Sequence, residues 1–375
     1  MAEVLGPQTL LNLALPSGID ATRLTQWAMR DGVTYGELAN QVALALGAFN
    51  QEMVNDWGWL FSITEELAME YEQGGSVTQM PEITDIDKPE AMHGSTIGHM
   101  VDLRAYGRGI GGSKRYFRDA RSAQVRAAIS TIVRQARWRF EVGLLTRWFT
   151  NTENAVGSAG YDVPFVRGTG GTIDYAPPAF DGEAFTTSHN HYLGYNATTP
   201  DTLDEVLDGL AETLQEHGFA APFTAMVSRA DAATYQALSN FVQIVDPVVN
   251  MIDRGGATAG ANFFAAGPRP FGLLGYFQGA YGLVEVRETA RLSTGYAGMV
   301  KSFGQLDGRN ALVVRVHPSV GFGAYVVPQT TPDDDYPVQQ LDVEMEHGIS
   351  VGPDRAAGAA AVLVAGGTWA NATIS

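Results

Sequence analysis

The sequence predicts an α+β protein organised around one unusually long helix. Residues 119–149 contain no proline, and apolar side chains recur along them at steps of three and four. Residues 199–329 then contain patterns of helix, strand, helix and several further strands. Residues 341–346 alternate apolar and acidic side chains with a period of two, which is typical of a half-buried strand.

The long helix would span roughly 45 Å at a rise of ~1.5 Å per residue. Its apolar stripe consists of Val125, Ile129, Ile132, Val133, Ala136, Phe140, Leu144 and Trp148. Its other face carries Arg121, Arg126, Arg134, Arg137, Arg139 and Arg147. Asp119 suits the N-cap or first turn, where its charge meets the helix dipole. The pattern fits either the core helix of an ordinary domain or a strut that turns arginines toward acidic neighbouring subunits.

Composition narrows the class of protein. A chain of 375 residues with 45% hydrophobic residues has room for one large or two modest domains with a real core. The net charge of −17 disfavours a basic nucleic-acid binder. The chain has no cysteine, which excludes disulfides, thiolate zinc sites and cysteine nucleophiles. Residues 1–16 lack the basic start of a secretory signal and no apolar run reaches bilayer length, so a cytoplasmic, soluble product is expected.

The segments around the long helix differ in character. Residues 1–75 predict an extended start followed by helices at 20–30, at 34–57 behind a Thr34–Glu37 capping box, and at 63–71. They form either a small helical subdomain or an arm that packs on a neighbouring subunit. Residues 76–118 predict an extended hairpin. Residues 199–329 predict helices at 199–217 and 230–241, with strands at 223–227, 271–277, 281–286 and 311–316, and a last strand is predicted at 361–365.

Two motifs invite a chemical interpretation. Gly107, Gly109 and Gly112 match G-x-G-x-x-G, but no buried strand is expected before them, so we predict a flexible loop tip and no cofactor. His189 and His191 form an H-x-H pair, which suits a metal when it lies on a strand. Asp181 and Glu183 could complete such a set, and a metal-dependent enzyme using this pair stays as an alternative. The polar residues around the pair favour structural contacts instead, so we expect no metal and no catalytic residue. His217 and His347, among other single histidines, carry no spacing signal.

The order of these parts resembles the major capsid protein of tailed bacteriophages, the Hong Kong 97-type fold that encapsulin shells share. Residues 185–192 (FTTSHNHY) resemble a segment that follows the long helix in some phage head proteins. Residues 346–349 (EHGI), followed by Gly352 and Arg355, resemble a late turn of the same family. The resemblance implies an N-terminal arm at 1–75, an E-loop at 76–118, a spine helix and the first part of a P-domain at 119–198, an A-domain at 199–329, and P-domain return strands at 330–375.

The resemblance also implies a function. It implies a structural protein that self-assembles into an icosahedral shell of hexamers and pentamers around packaged double-stranded DNA, without sequence specificity. The implied further partners are cement, portal and scaffolding proteins, and the implied location is the virion after assembly in the host cytoplasm. An encapsulin-like compartment is the alternative of the same fold. The residues expected at contacts between subunits are Arg108, Lys114, Arg121, Arg126, Arg134, Arg137 and Arg139.

Overall fold

The computed structural model describes residues 29–33, 35–73, 95–113, 119–152, 163–169, 172–173, 189–197, 202–243, 271–327 and 338–375. Its helices are α1 (Tyr35–Trp57), α2 (Ser122–Trp148), α3 (Leu203–Glu216) and α4 (Ala232–Gln236). Its strands are β1 (Phe61–Thr64), β2 (Ala68–Gln73), β3 (Ser95–Met100), β4 (Arg104–Ser113), β5 (Gly168–Thr169), β6 (Thr172–Ile173), β7 (Tyr192–Asn196), β8 (Phe223–Ser228), β9 (Phe241–Gln243), β10 (Leu273–Gly279), β11 (Gly282–Thr289), β12 (Tyr296–Val300), β13 (Leu312–Arg315), β14 (Ala324–Val327), β15 (Val338–Val351) and β16 (Gly358–Val364). This mixture confirms the predicted α+β class. No helix in these ranges is both long and apolar enough to cross a membrane.

The larger sheet has seven strands in the order β7-β16-β12-β8-β11-β10-β9. The β16–β7 and β11–β8 pairs are parallel, and the remaining pairs are antiparallel. Helix α3 packs on this sheet through four buried apolar side chains: Val206, Leu207, Leu210 and Leu214. The strands predicted at 223–227, 271–277, 281–286 and 361–365 are present as β8, β10, β11 and β16, with shifted ends.

The second sheet is built on β15, a strand of 14 residues. Its order is β1-β13-β15-β14, and β4 also pairs with β15. The period-two pattern therefore predicted this strand correctly, although the strand extends further in both directions. Helix α1 covers the edge of β14, where the Asn50 side chain accepts from the Ala324 N–H at 2.9 Å and donates to the Ala324 carbonyl at 3.1 Å. Strands β13 and β14 lie in the predicted A-domain at 199–329 but pair with β15, which lies after it. Strand β16 also lies after it but pairs with β12 of the predicted A-domain. Both sheets therefore combine strands from the two sides of the predicted boundary.

Helix α2 is the predicted long helix, with 27 residues instead of 31. Its N-cap is Arg121, whose N–H donates to Gln124 Oε1 at 3.3 Å, and Asp31 adds a second cap from another part of the chain. The Asp31 carboxylate accepts from the Ser122 hydroxyl at 2.6 Å and from the Ser122 N–H at 2.9 Å. These bonds lower the pKa of Asp31. The prediction of Asp119 as the cap was therefore wrong, since no local pattern could identify a partner 91 residues away.

The second half of α2 lies between the two sheets. Phe140 meets Phe322 edge-on, with ring centroids 5.5 Å apart, on the side of the β15 sheet. Trp148 is fully buried, and its Nε1–H donates to the Ala359 carbonyl of β16 at 3.0 Å. Helix α1 contributes to the same core, so the described part of the predicted arm packs on its own chain.

Four local predictions were wrong. Residues 63–64 belong to β1 and residues 68–71 to β2 rather than to a helix, because long-range strand pairing outweighs the local helix preference. Strands β3 and β4 do not form a hairpin with each other, since β3 pairs with β2 and β4 with β15. Gly107, Gly109 and Gly112 lie within β4 and not at a loop tip. The helix predicted at 230–241 is only α4, followed by β9. Residues 20–28 of the first predicted helix lie outside the described residues.

A buried carboxylate joins α2 to three other parts of the chain. Glu141, only 5% exposed, accepts from Arg137 Nε at 2.9 Å and from Arg291 Nε at 2.6 Å. Arg137 also pairs with Asp56 of α1. Arg291 also donates to the carbonyl of Ser375 at 3.2 Å, which holds the C-terminal residues. The ion network therefore lies inside one protomer.

We expect Glu141→Gln to lower the free energy of unfolding by about 3 kcal/mol, because it leaves two partly buried guanidinium groups without their shared carboxylate. Urea denaturation of the unassembled chain measures this. The matched control is Glu52→Gln, since Glu52 lies 3.8 Å from Arg137 with 65% of its side chain exposed. The control should change stability by less than about 0.5 kcal/mol. Equal losses in the two variants would contradict the role of Glu141.

His347 of β15 is buried between aromatic rings. Its ring centroid lies 5.5 Å from that of Phe140 and 5.3 Å from that of Tyr106. Burial lowers the pKa of His347 from 6.5 to about 4, and the charge of Arg139 acts in the same direction. The unfolded chain therefore binds a proton at a higher pH than the folded chain, and stability falls as the pH drops from 6.5 to 4.

We expect His347→Phe to reduce this acid sensitivity by about 1.4 kcal/mol per pH unit inside that window. Above the window the dependence on His347 should vanish, because the imidazole is then neutral in both states. Urea denaturation at a series of pH values gives the slope. His317→Phe changes an exposed histidine and should keep the slope of the unmodified protein. The prediction fails if H347F and the unmodified protein have the same slope.

Candidate assembly surfaces and a histidine cluster

The pair β4–β15 forms a long antiparallel ribbon. Its register runs from Val338 opposite Ser113 to His347 opposite Arg104. Strand β14 pairs with only four residues of β15, so β4 and the start of β15 extend past it. The second edge of β4 has no partner among the described strands. Such an edge is available for contact with another chain, and it is a candidate assembly surface.

Three of the arginines expected at subunit contacts bind within the chain. Arg126 Nε donates to Gln41 Oε1 of α1 at 3.0 Å. Arg137 belongs to the Glu141 network. Arg139 donates to the Tyr106 hydroxyl at 2.8 Å and stacks on that ring, with its guanidinium carbon 4.3 Å from the centroid. These side chains attach α2 to α1 and to the ribbon, a role that the sequence pattern alone could not assign.

The other predicted contact residues differ from these. Arg108 is exposed on β4, opposite Val343 of β15. Arg121 is exposed just before α2. Arg134 is exposed, and among the described residues it donates within its own helix turn, to the Ser130 carbonyl and the Thr131 hydroxyl. Lys114 lies outside the described residues. Contact of any of these with a neighbouring subunit stays a prediction.

One exposed aromatic residue was missed. Trp138 of α2 is 47% exposed and lies one turn from Arg134 on the outer face of the helix. Tryptophan and arginine are enriched where protein interfaces derive most of their binding energy. A signal was available in the sequence, because Trp138 is the one tryptophan of the long helix outside its apolar stripe. The outer face of α2 around Arg134 and Trp138 is a second candidate assembly surface.

Three histidines meet where α3 ends and β7 begins. His217 Nε2 lies 2.9 Å from His189 Nε2 and 2.7 Å from His191 Nε2. All three groups offer a ring nitrogen within 4.8 Å of the others. His191 Nδ1 lies 2.8 Å from the Gly358 carbonyl, and His189 Nδ1 lies 3.8 Å from Glu216 Oε2. Asp181 and Glu183, the expected companions of the H-x-H pair, lie outside the described residues.

The environment keeps all three imidazoles neutral at pH 7. Burial lowers the pKa of His189 to about 4. Burial, and then the proximity of His189, lower the pKa of His217 to about 3. His191 is fully buried, and burial followed by the two other histidines holds its pKa well below 6.5. Neutral imidazoles can serve as metal ligands.

His217 could have been found from the sequence by a topological argument. A strand of five residues that starts beside His191 and a helix of 14 residues that ends at Glu216 span similar lengths, so a helix that turns back along the strand ends near the strand's start. The end of the helix therefore returns to the start of the strand. His217 has no other histidine at short spacing in the sequence, so spacing alone does not assign it to the cluster.

No protein-family model matches the sequence, and no curated protein matches it. Among solved structures, a chain from Mycobacterium phage Patience is similar over 92% of this chain and 92% of its own, with a TM-score of 0.61 and 22% identity. A chain of the bacteriophage PhiM1 mature capsid is similar over 80% of this chain and 85% of its own, with a TM-score of 0.45 and 13% identity. The SrpI encapsulin from Synechococcus elongatus is similar over 83% of this chain and 88% of its own, with a TM-score of 0.41 and 11% identity.

The likeness to the Patience phage chain extends over nearly the whole length of both proteins, and at 22% identity it concerns the fold alone. The two lower TM-scores add no support of their own. The resemblance to Hong Kong 97-type capsid proteins that the order of elements predicts is thereby confirmed at the level of the fold.

Proposed function

We propose that this chain is the major capsid protein of a tailed bacteriophage. In this proposal it self-assembles into an icosahedral shell of hexamers and pentamers around packaged double-stranded DNA. The observation that supports it is the fold shared with the Mycobacterium phage Patience chain over 92% of both chains. The proposed location is the virion, after assembly in the host cytoplasm, and the protein has a structural rather than an enzymatic role.

The shape of the subunit suits assembly. Helix α2 is a rigid strut because both sheets and the Glu141 network hold it. The β4–β15 ribbon extends past the described part of β14, and the second edge of β4, which has no partner among the described strands, is the edge proposed to meet a neighbour. Contacts that run head to tail between identical subunits close into rings, which is the geometry that pentamers and hexamers need. We also propose that the chain divides into an arm, an E-loop, a spine helix, a P-domain and an A-domain, as the resemblance implies.

The overall charge suits a container for DNA. A net charge of −17 repels the phosphate backbone, so the shell would enclose DNA without gripping it. Binding without sequence specificity and release of the genome both follow from weak contact. Arg108, Arg121 and Arg134, which are exposed, are the proposed cations for neighbouring acidic subunits, together with Lys114. Portal, scaffolding and cement proteins are the further partners proposed.

Negative-stain electron microscopy of the purified full-length chain tests the proposal. Closed particles of uniform diameter support a shell protein. A chain that remains a folded monomer under every assembly condition overturns the proposal. Analysis of particles from their native source separates two kinds of shell, since nuclease-protected DNA supports a phage head and a packaged enzyme supports an encapsulin-like compartment.

We expect Trp138→Ala to weaken assembly without unfolding the subunit, because the indole is exposed in the protomer and would be buried only in the lattice. The concentration at which light scattering first reports assembly should rise about tenfold or more, which corresponds to roughly 1.4 kcal/mol per subunit. The urea midpoint of the unassembled chain should stay unchanged.

The matched control is Gln135→Ala, since Gln135 is exposed one turn earlier on α2 and has no large apolar surface. It should assemble at the concentration of the unmodified protein. If W138A also assembles at that concentration, the outer face of α2 is not a subunit contact, and the ribbon edge becomes the better candidate.

A further inference from the structure

We propose that His189, His191 and His217 form a binding site for one divalent transition metal ion, with Zn²⁺ as the favoured ion. The site would link the end of α3 to the start of β7 and to Gly358 of β16. It is a structural site inside each protomer, and it is independent of how the protomers assemble. Three features support it: the short distances between the three rings, the hydrogen bond from His191 to Gly358, and the number of protons that three neutral rings carry.

Three Nε2 atoms of neutral imidazoles form two close contacts, and the protons on these rings cannot make both contacts into hydrogen bonds. His191 Nδ1 lies at hydrogen-bond distance from a carbonyl oxygen, so it carries the proton, and Nε2 of the neutral ring is an acceptor. His217 Nε2 then has to donate to His191. The same atom is also 2.9 Å from His189 Nε2, and one ring nitrogen holds one proton or one lone pair. One of the two close contacts therefore lacks a proper hydrogen bond in a metal-free neutral cluster.

A cation resolves this conflict because it accepts the lone pairs of all three nitrogens at once. Zinc binds imidazole nitrogen at about 2.0–2.1 Å in tetrahedral geometry, which places two ligand nitrogens about 3.3 Å apart. The two contacts of 2.7 and 2.9 Å would open by about half an ångström to reach that spacing. Side-chain rotation of the half-buried His189 and His217 is sufficient for such a change.

The surroundings resemble those of established metal ligands. A ligating histidine usually donates its other N–H to a carbonyl or carboxylate, which fixes the ring orientation. His191 has such a partner in the Gly358 carbonyl, whereas Glu216 Oε2 lies 3.8 Å from His189 Nδ1, beyond hydrogen-bond distance. His217 follows the last turn of α3, and the negative end of the helix dipole favours a cation there.

The ligand set narrows the identity of the ion. Among the described residues the candidate ligands are three imidazoles, which suit Zn²⁺, Cu²⁺, Ni²⁺ or Co²⁺ and do not suit Mg²⁺ or Ca²⁺, which prefer oxygen. Three protein ligands leave a fourth position for water. Because the folded chain presents the three nitrogens together and the unfolded chain does not, binding should stabilise the fold.

The test uses the full-length chain, stripped with a chelator and then incubated with ZnCl₂ or CoCl₂. We expect one Zn²⁺ per chain by elemental analysis after gel filtration, a rise in Tm with zinc, and the ligand-field spectrum of four-coordinate Co²⁺. His217→Ala should weaken zinc binding at least about tenfold, because a three-ligand site would lose one ligand. His317→Ala removes an exposed histidine and should bind zinc like the unmodified protein.

Two further results decide the proposal. His189→Ala is a second variant at a half-buried position, and it should also lose binding, so misfolding of one variant cannot decide the question. Similar Tm values of the variants and the unmodified protein in chelator would establish that they fold. No retained zinc, or unchanged zinc binding in both folded variants, overturns the site and identifies a hydrogen-bonded histidine cluster. Microscopy of assembled particles is unaffected by this outcome, so failure of the metal site and failure of the shell proposal are distinguishable.

Discussion

The two sheets depend on one shared packing contact, the burial of the last turns of α2 between them. Phe140 contacts Phe61 and Phe322 on the side of the β15 sheet. Trp148 lies against the other sheet, and a Cβ atom on Gly298 of β12 would come within 2.6 Å of its ring. The strand can approach the indole only with glycine at that position. Because protein interiors are close-packed, this contact fixes how far apart the two sheets lie.

The elements that were predictable are those with a long, uniform period. Helix α2 and strand β15 repeat one pattern over many residues, so chance matches are few. The error at residues 63–71 has a different origin. The segment contains three glutamates and one each of leucine, alanine and methionine, which favour a helix locally, but its partners are β3 and the distant β13. Pairing at such separations leaves no local mark in the sequence.

In the candidate sites, too, the features with a local spacing were predictable and those that depend on distant residues were not. The i,i+4 spacing of Arg137 and Glu141 is visible in the sequence and fits an ion pair on one helix. The fold, and not the local sequence, brings Arg291 to this pair and buries Glu141. The arginine-rich face of the helix predicts contacts with neighbouring subunits, but Arg126, Arg137 and Arg139 make contacts within the protomer. The spacing of His189 and His191 is visible in the sequence. His217 joins them only because the end of α3 lies next to the start of β7.

The parallel pairing of β1 with β13 has a consequence for biosynthesis. Its two strands are separated by about 250 residues, and Phe61 lies opposite Leu312. At a translation rate of ~5–20 residues per second, β1 is made tens of seconds before its partner leaves the ribosome. During that interval Phe61 lacks its strand partner and its contact with Phe322, although Phe140 of α2 has already been made. An incomplete product of translation that ends before β13 therefore cannot close the β15 sheet.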